Sequence, residues 1–141
     1  MGVGAFTFHY AQGTSYLSND PKACTNCHVM QPYHDGWLHG PHKSVATCND
    51  CHVPHDPVGK LLAKGIHGWN HSKAFTLQNF HEPIQITARS LADVEANCVR
   101  CHETKVSAII GGAAHASRGA QGDTGISCVR CHVSAGHGFQ K

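Results

Sequence analysis

The amino-acid sequence predicts a small, mainly α-helical protein with long loops and almost no sheet. All eight cysteines fall in four Cys-x-x-Cys-His motifs, and the step from the first cysteine to the histidine is about one helical turn. Two stretches between the motifs repeat their apolar residues with helical spacing. The 141 residues include 15 glycines and only 7% aromatic residues. One domain, or two very small ones, would therefore bury little apolar area of its own.

The four motifs have the spacing that attaches haem c covalently. The thiols bond to the haem vinyl groups, and the histidine one turn later reaches the iron. Two zinc sites would also use paired cysteines, but they do not require a histidine after every pair, and the same spacing disfavours a disulfide framework. We therefore predict four haem c groups that form most of the core, and we expect no folding without them. The attachment cysteines are Cys24, Cys27, Cys48, Cys51, Cys98, Cys101, Cys128 and Cys131, and the motif histidines are His28, His52, His102 and His132.

The charge balance gives little information about partners. The formal charge is +2, but the propionates of four haems would more than offset it. The chain has no basic run and no recognised nucleic-acid module, so we expect no nucleic-acid partner.

The N-terminal segment resembles the end of a membrane helix. The uncharged stretch from residue 2 to residue 8 is shorter than the about 20 residues that span a bilayer. Nearby aromatic residues suit a membrane–water interface; they are Phe6, Phe8, Tyr10 and Tyr16. We interpret residues 1–17 as the C-terminal part of a membrane-anchor helix and residues 18–141 as a periplasmic tetrahaem domain, because haem c is attached outside the cytoplasm. An ordinary ragged N-terminus is the alternative.

A helix is predicted from Asp56 to Leu77, in the widest gap between motifs. Asp56 is a good N-cap, and Pro57 suits the first helical position. Apolar residues share one face, and the opposite face carries two lysines and two histidines. The apolar face consists of Val58, Leu62, Ile66 and Trp69, and the polar face consists of Lys60, Lys64, His67 and His71. The polar face is either a solvated surface or a functional site beside a haem.

A second helix is predicted from about residue 90 to 104, with the third motif turned inward. Residues 111–125, which include His115, are predicted to form a loop.

The remaining histidines and methionines include candidates for the second axial ligand of each iron. His42 and His137 lie in haem-dense stretches, and we predict both as distal ligands. Met30 follows His28 by two residues and is predicted to be a ligand, with a packing methionine as the alternative. Weaker candidates, which could equally be exposed or bonded to a propionate, are His34, His39, His55 and His81.

Several stretches resemble the NapC/NirT family of membrane-anchored multihaem cytochromes, and within it the NrfH branch. The most specific are Cys-Thr-Asn-Cys-His-Val-Met (residues 24–30) and Gly-Trp-Asn-His-Ser-Lys-Ala-Phe-Thr-Leu (residues 68–77). Others are residues 15–24, residues 48–54, and residues 128–132 followed by His137. The resemblance covers nearly the whole chain.

The resemblance implies a set of residue roles. Met30, rather than His28, would ligate the first haem, whose other face lies open near a quinol site. Lys64 matches a quinol-site lysine, His71 would be a proton acceptor or a weak sixth ligand, and His67 an auxiliary group. His42 and His137 match distal ligands of later haems. One haem would receive its sixth ligand from a partner protein.

The function implied by the resemblance is oxidation of menaquinol at the cytoplasmic membrane. Electrons would pass to the catalytic subunit of a periplasmic cytochrome c nitrite reductase in a hetero-oligomer. A quinol dehydrogenase serving another periplasmic reductase, such as nitrate reductase, is one alternative. An electron-carrier or wire subunit without a quinol site is another. A cytochrome c₃-like storage protein is disfavoured because the chain lacks adjacent histidine pairs.

Overall fold

A computed structural model describes the backbone of residues 2–110 and 127–138, with side chains described over 2–108 and 127–138. Within these ranges the chain is mainly helical and contains no strand. The predicted fold class is therefore confirmed. The α-helices are α1 (Gly2–Tyr10), α2 (Gln31–Leu38), α3 (Cys48–His52), α4 (Pro57–Leu77), α5 (Ala88–Ile110) and α6 (Cys128–Cys131), and 3₁₀ helices occupy Gly13–Leu17, Pro21–Asn26 and His28–Met30.

Helix α4 begins and ends where the sequence predicts. The Asp56 carboxylate accepts a hydrogen bond from the Gly59 N–H at 2.6 Å, which satisfies one of the free donors of the first turn. Pro57 occupies the first helical position. The helix ends at Leu77, and Gln78 follows in the left-handed conformation with φ of 53°, which stops further helical hydrogen bonding.

The apolar face of α4 points away from the rest of the chain. Val58, Leu62 and Trp69 are 78%, 53% and 70% exposed. The buried position is Ala63, which is 3% exposed, and Lys64 and His67 on the polar face are half-buried. The part of the polar face that carries Lys64 and His67 therefore packs inward, the reverse of an ordinary surface helix, whereas His71 on the same face is exposed.

Helix α5 is longer than predicted at both ends. It runs through the third motif and bends at His102, where φ is −109° and ψ is 22°. The motif is itself helical, so it continues the helix instead of ending it. The loop predicted for residues 111–125, including His115, lies outside the described residues.

The described side chains form almost no hydrophobic core. The buried apolar residues are Ala23, Val53 and Ala63, and all are small. A domain this size normally depends on apolar burial for its stability. The space between the helices therefore requires another apolar material to fill it, as four haem groups would.

Asparagine side chains tie neighbouring motifs together. The Asn97 amide, which is buried, donates to the carbonyl oxygens of Cys51 at 3.0 Å and Val53 at 2.9 Å. It thereby satisfies carbonyls at the end of α3 and joins the second motif to α5. The exposed Asn49 amide donates to the Ser18 carbonyl at 3.1 Å and to the Asn19 side chain at 3.0 Å.

Helix α1 is apolar, and each of its nine residues is exposed. A tight corner follows it, where Gln12 has φ of 51° and a side chain at Gly13 would collide with the Phe8 ring. Among the described residues, no helix combines the length and apolar character needed to cross a membrane. The division at residues 17 and 18 remains a prediction.

Asn97→Ala should destabilise the haem-loaded protein by about 1–3 kcal/mol, because two carbonyls would be left buried without a donor. Asn49→Ala is the matched control. It should lower the free energy of unfolding by less than about 1 kcal/mol, since water can replace an exposed partner. Urea unfolding of both variants measures the difference, and equal losses would contradict the assigned role of Asn97.

Chain produced without haem attachment should show no cooperative thermal unfolding, because its own side chains bury too little apolar area to offset chain entropy. Far-ultraviolet circular dichroism during heating provides the measurement, with the haem-loaded protein as the reference. A sharp transition in the haem-free chain would show that the polypeptide has a core of its own.

Candidate functional site

The four motifs lie on short helical turns. The second, third and fourth lie on α3, α5 and α6, while the first spans two 3₁₀ helices. All eight cysteines are free of disulfides. A hydrogen bond with Cys48 lowers the pKa of Cys24 to about 7, so the first and second motifs meet at their leading thiols. No group of three or more His, Cys, Asp or Glu side chains within the described ranges forms a metal-binding cluster.

His52 of the second motif faces His137, one of the two predicted distal ligands. Their ring centroids are 5.7 Å apart, and the ring planes are nearly parallel, at 6°. Burial, then the neighbouring His137 and His67, lowers the pKa of His52 to about 4. Burial also lowers the pKa of His137, so both imidazoles are neutral at pH 7, the form that binds iron. The Tyr33 ring meets the His137 ring edge-on at 5.5 Å.

His42, the other predicted distal ligand, faces His102 of the third motif. Their ring centroids are 6.1 Å apart, and the planes are perpendicular, at 90°. The Nδ1 atom of His42 lies 2.9 Å from the carbonyl oxygen of Ala135. Such a contact fixes the tautomer with the proton on Nδ1, and leaves Nε2 free to bind a metal.

Both ring pairs fit a group held between them. A metal–imidazole bond of about 2 Å on each side, together with the two ring half-widths, gives roughly 6 Å between centroids. The separations of 5.7 Å and 6.1 Å match this value. The structure therefore brings His52 together with His137 and His102 together with His42, at centroid separations that an iron between each pair would require.

The first motif is arranged differently. His28 is exposed, and Met30 is half-buried on the same 3₁₀ helix. The Tyr16 hydroxyl lies 3.8 Å from the Cys27 sulfur, and burial followed by that hydrogen bond raises the pKa of Tyr16 to about 12. In the fourth motif, His132 is exposed just beyond α6.

Three side chains of α4 form the candidate quinol site. The Lys64 ammonium donates to the carbonyl oxygens of Leu17 at 3.1 Å and Ser18 at 2.6 Å. Partial burial and Lys60 lower its pKa. His67 Nε2 lies 3.1 Å from the Ser90 hydroxyl, and burial lowers the pKa of His67.

His71 completes this site one turn after His67. The two rings have centroids 6.4 Å apart. Desolvation, then the proximity of His67, lowers the pKa of His71. At neutral pH both rings are therefore unprotonated and able to accept a proton. Lys64 is thus hydrogen-bonded to the segment before the first motif, and His67 contacts Ser90 of α5.

Sequence reasoning missed the polar groups that hold the motifs in register. The Glu95 carboxylate accepts hydrogen bonds from the Ser127 hydroxyl, from the Cys128 N–H at 2.9 Å and from the Val129 N–H at 3.4 Å. The Tyr33 hydroxyl accepts from the Ile84 N–H at 3.0 Å. No local pattern marks either residue, because each bond joins distant parts of the chain.

Comparison with known proteins gives a family match over the whole chain. Residues 1–141 match the model of the NapC/NirT cytochrome c family, N-terminal region. The chain is 37% identical over 141 residues to the cytochrome c-type protein NrfH of Wolinella succinogenes, covering 98% of this chain and 80% of the relative. It is 35% identical over 92 residues to the cytochrome c nitrite reductase subunit NrfH of Nitratidesulfovibrio vulgaris, covering 65% of this chain and 57% of the relative.

A solved structure is also similar. It is the crystal structure of the cytochrome c nitrite reductase NrfHA complex bound to the HQNO inhibitor, with a TM-score of 0.68 and 26% sequence identity. The match covers 99% of this chain and 88% of that chain. The arrangement of the helices around the four motifs is therefore shared with a chain of that complex.

The two ring pairs predict distinct electron paramagnetic resonance signals from the oxidised protein. Perpendicular imidazole planes give a more anisotropic low-spin signal than parallel planes. His42→Ala should remove the more anisotropic signal and His137→Ala the less anisotropic one, each with the gain of one high-spin haem. His39→Ala, a change to an exposed histidine of the same region, is the control. Spectra unchanged in both His42→Ala and His137→Ala would contradict distal ligation by these residues.

Proposed function

The chain belongs to the NapC/NirT cytochrome c family, and we propose that it is the quinol-oxidising, electron-transfer subunit of a cytochrome c nitrite reductase. Menaquinol is the proposed donor. The periplasmic catalytic subunit, where nitrite would be reduced, is the proposed partner in a hetero-oligomer. Similarity over nearly the full chain to NrfH and to a chain of the NrfHA complex carries this proposal.

The four motifs attach covalent haem c, which supplies one-electron oxidation and reduction when bound. The proposed iron ligands for the second and third haems are the two facing pairs, His52 with His137 and His102 with His42. Met30, rather than His28, is proposed for the first haem. His132 is proposed for the fourth haem, and one of the four haems would receive its sixth ligand from the partner.

The proposed location is the cytoplasmic membrane, with a single N-terminal anchor and the haem domain in the periplasm. Residues 1–17 would form the C-terminal part of the anchor and residues 18–141 the haem domain. Helix α1 supports this proposal because it is apolar and exposed along its whole length. A helix that is apolar all round is stable only within a core or a membrane.

Lys64 is the proposed hydrogen-bond donor to the quinol. A lysine ammonium has three N–H groups, and Leu17 and Ser18 accept from this one. These two bonds fix the ammonium against the segment before the first motif, and the third N–H is available for a quinol oxygen. Because a charged lysine cannot accept a proton, the protons released by the quinol need a separate acceptor.

His67 and His71 are the proposed proton acceptors. Their lowered pKa values keep both rings neutral at pH 7, the state a general base requires. The Ser90 hydroxyl orients His67. His71 lies one helical turn farther along the same face, so the pair could pass a proton toward the end of α4.

One observation favours the alternative of a wire subunit without a quinol site. The two carbonyl bonds of Lys64 would also suit a lysine whose role is to dock α4 against the residues after α1. In that case, electrons would enter from another protein and no quinol would contact α4. Direct reduction by quinol separates the two functions.

Lys64→Gln should reduce the rate of haem reduction by a menaquinol analogue at least about tenfold, because a hydrogen bond from a charged donor contributes about 1.5–3 kcal/mol. Visible spectra of the detergent-solubilised protein measure the rate. HQNO should block the reaction in the unmodified protein, and dithionite defines full reduction.

Lys73→Gln is the matched control, because it removes the same charge from an exposed position on the same helix. It should leave the rate unchanged. Reduction of the unmodified protein by dithionite but not by quinol would support the wire alternative. Equal rates in Lys64→Gln and the unmodified protein would show that the quinol binds elsewhere.

A further inference from the structure

Glu95 joins the third motif to the fourth. It lies on α5, three residues before Cys98, and its carboxylate reaches the start of α6. There it accepts from the Ser127 hydroxyl, from the Cys128 N–H at 2.9 Å and from the Val129 N–H at 3.4 Å. Cys128 is the first attachment cysteine of the fourth haem. The carboxylate therefore fixes the backbone at the point where that haem is bonded to the chain.

The Glu95 carboxylate carries a negative charge that no cation neutralises among the described residues. Its three donors are neutral, and the described ion pairs do not include it. Burial alone would raise the pKa of Glu95, but the hydrogen bonds from Ser127, Cys128 and Val129 outweigh it and lower the pKa. Glu95 is therefore ionised at neutral pH.

Asn97, two residues farther on, makes the comparable contact with the second motif. Its amide donates to the Cys51 and Val53 carbonyls, so one short stretch of α5 holds the end of α3 and the start of α6. The two contacts differ in charge. Asn97 positions the second motif with a neutral group, whereas Glu95 positions the fourth motif with a carboxylate.

We propose that Glu95 is a positioning residue for the fourth haem, which fixes its attachment turn against α5 and lowers its reduction potential. A nearby negative charge stabilises oxidised iron relative to reduced iron. Three preorganised donors hold the carboxylate against Cys128, so its largest effect is on the haem attached there. Glu95 also lies about one helical turn before Cys98, and burial followed by the Glu95 charge raises the pKa of that thiol, so the third haem should respond less strongly.

A lowered potential would give the fourth haem a defined role in electron transfer. That role rests on the proposed function. A lowered potential favours loss of the electron from this haem. It equally disfavours transfer to this haem from the other three, so Glu95 would set the position of the fourth haem in the order of potentials along which electrons pass. The effect of Glu95 on the potential itself does not depend on quinol oxidation or on the identity of the partner.

A redox titration of the purified four-haem protein, followed in the visible spectrum, tests the proposal. Glu95→Gln keeps the size and one acceptor oxygen but removes the charge, and should shift one of the four midpoint potentials upward by more than the other three. Glu95→Asp keeps the charge and should cause a much smaller shift. Glu82→Gln removes a carboxylate from the exposed segment between α4 and α5 and should leave all four potentials unchanged.

A second variant tests the charge at a fixed side-chain length. Glu95→Asn has the length of Glu95→Asp without its charge, and should shift the same potential upward relative to Glu95→Asp. It also provides the decisive result if Glu95→Gln protein does not accumulate with four haems. Because the titration uses chemical mediators, its outcome is separate from success or failure of the quinol assay.

Two results would overturn the proposal. Unchanged potentials in Glu95→Gln, or equal potentials in Glu95→Asn and Glu95→Asp when those are the variants obtained, would show that the charge does not act on the haem. Equal shifts in Glu95→Asp and Glu95→Gln would show that geometry alone matters, and that Glu95 is a purely structural link.

Discussion

The fold depends on polar contacts between the ends of the haem-attachment motifs, because the side chains that the structure describes form almost no apolar interior. Asn97 holds the end of the second motif, Glu95 holds the start of the fourth, and both belong to the helix that carries the third. Asn49 links the second motif to the residues before the first. Polar side chains of the polypeptide thus fix the position of each motif relative to another motif. The haems can fill the space between motifs only because these contacts set its size.

The inverted polarity of α4 follows from the same constraint. In an ordinary domain, the apolar face of a helix packs against other apolar side chains. Here the interior would consist of porphyrins, imidazoles and backbone carbonyls, and the part of α4 that carries Lys64 and His67 packs toward it. Lys64 and His67 are held by specific partners, as a site for a small polar molecule requires, whereas His71 is exposed. The exposed apolar residues on the other face do not contribute to this packing.

The sequence allowed prediction of features whose causes are local. The bounds of α4 follow from the cap at Asp56 and from Pro57, and the haem motifs follow from their spacing. The pairing of His42 with His102 and of His52 with His137 was not predictable, because the partners meet only after the whole chain has folded. The contacts of Glu95 were not predictable for the same reason, since the residues it binds lie 32 to 34 positions later, at the start of α6. The inward direction of the polar face of α4 requires knowledge of what fills the interior, which a helical pattern alone does not contain.

The turn after the fourth motif has a consequence for how the protein is made. Residues 133–137 supply the ring that faces His52 and the carbonyl that orients His42, a hydrogen bond across 93 residues of sequence. A chain synthesised from its N-terminus presents both earlier motifs long before this turn exists. If these ring pairs hold iron, as proposed, haems attached at the second and third motifs would lack a complete iron environment until this turn is in place. Both centres would then be completed together by one late segment, and a chain that ends before residue 133 would carry two irons with an open coordination position.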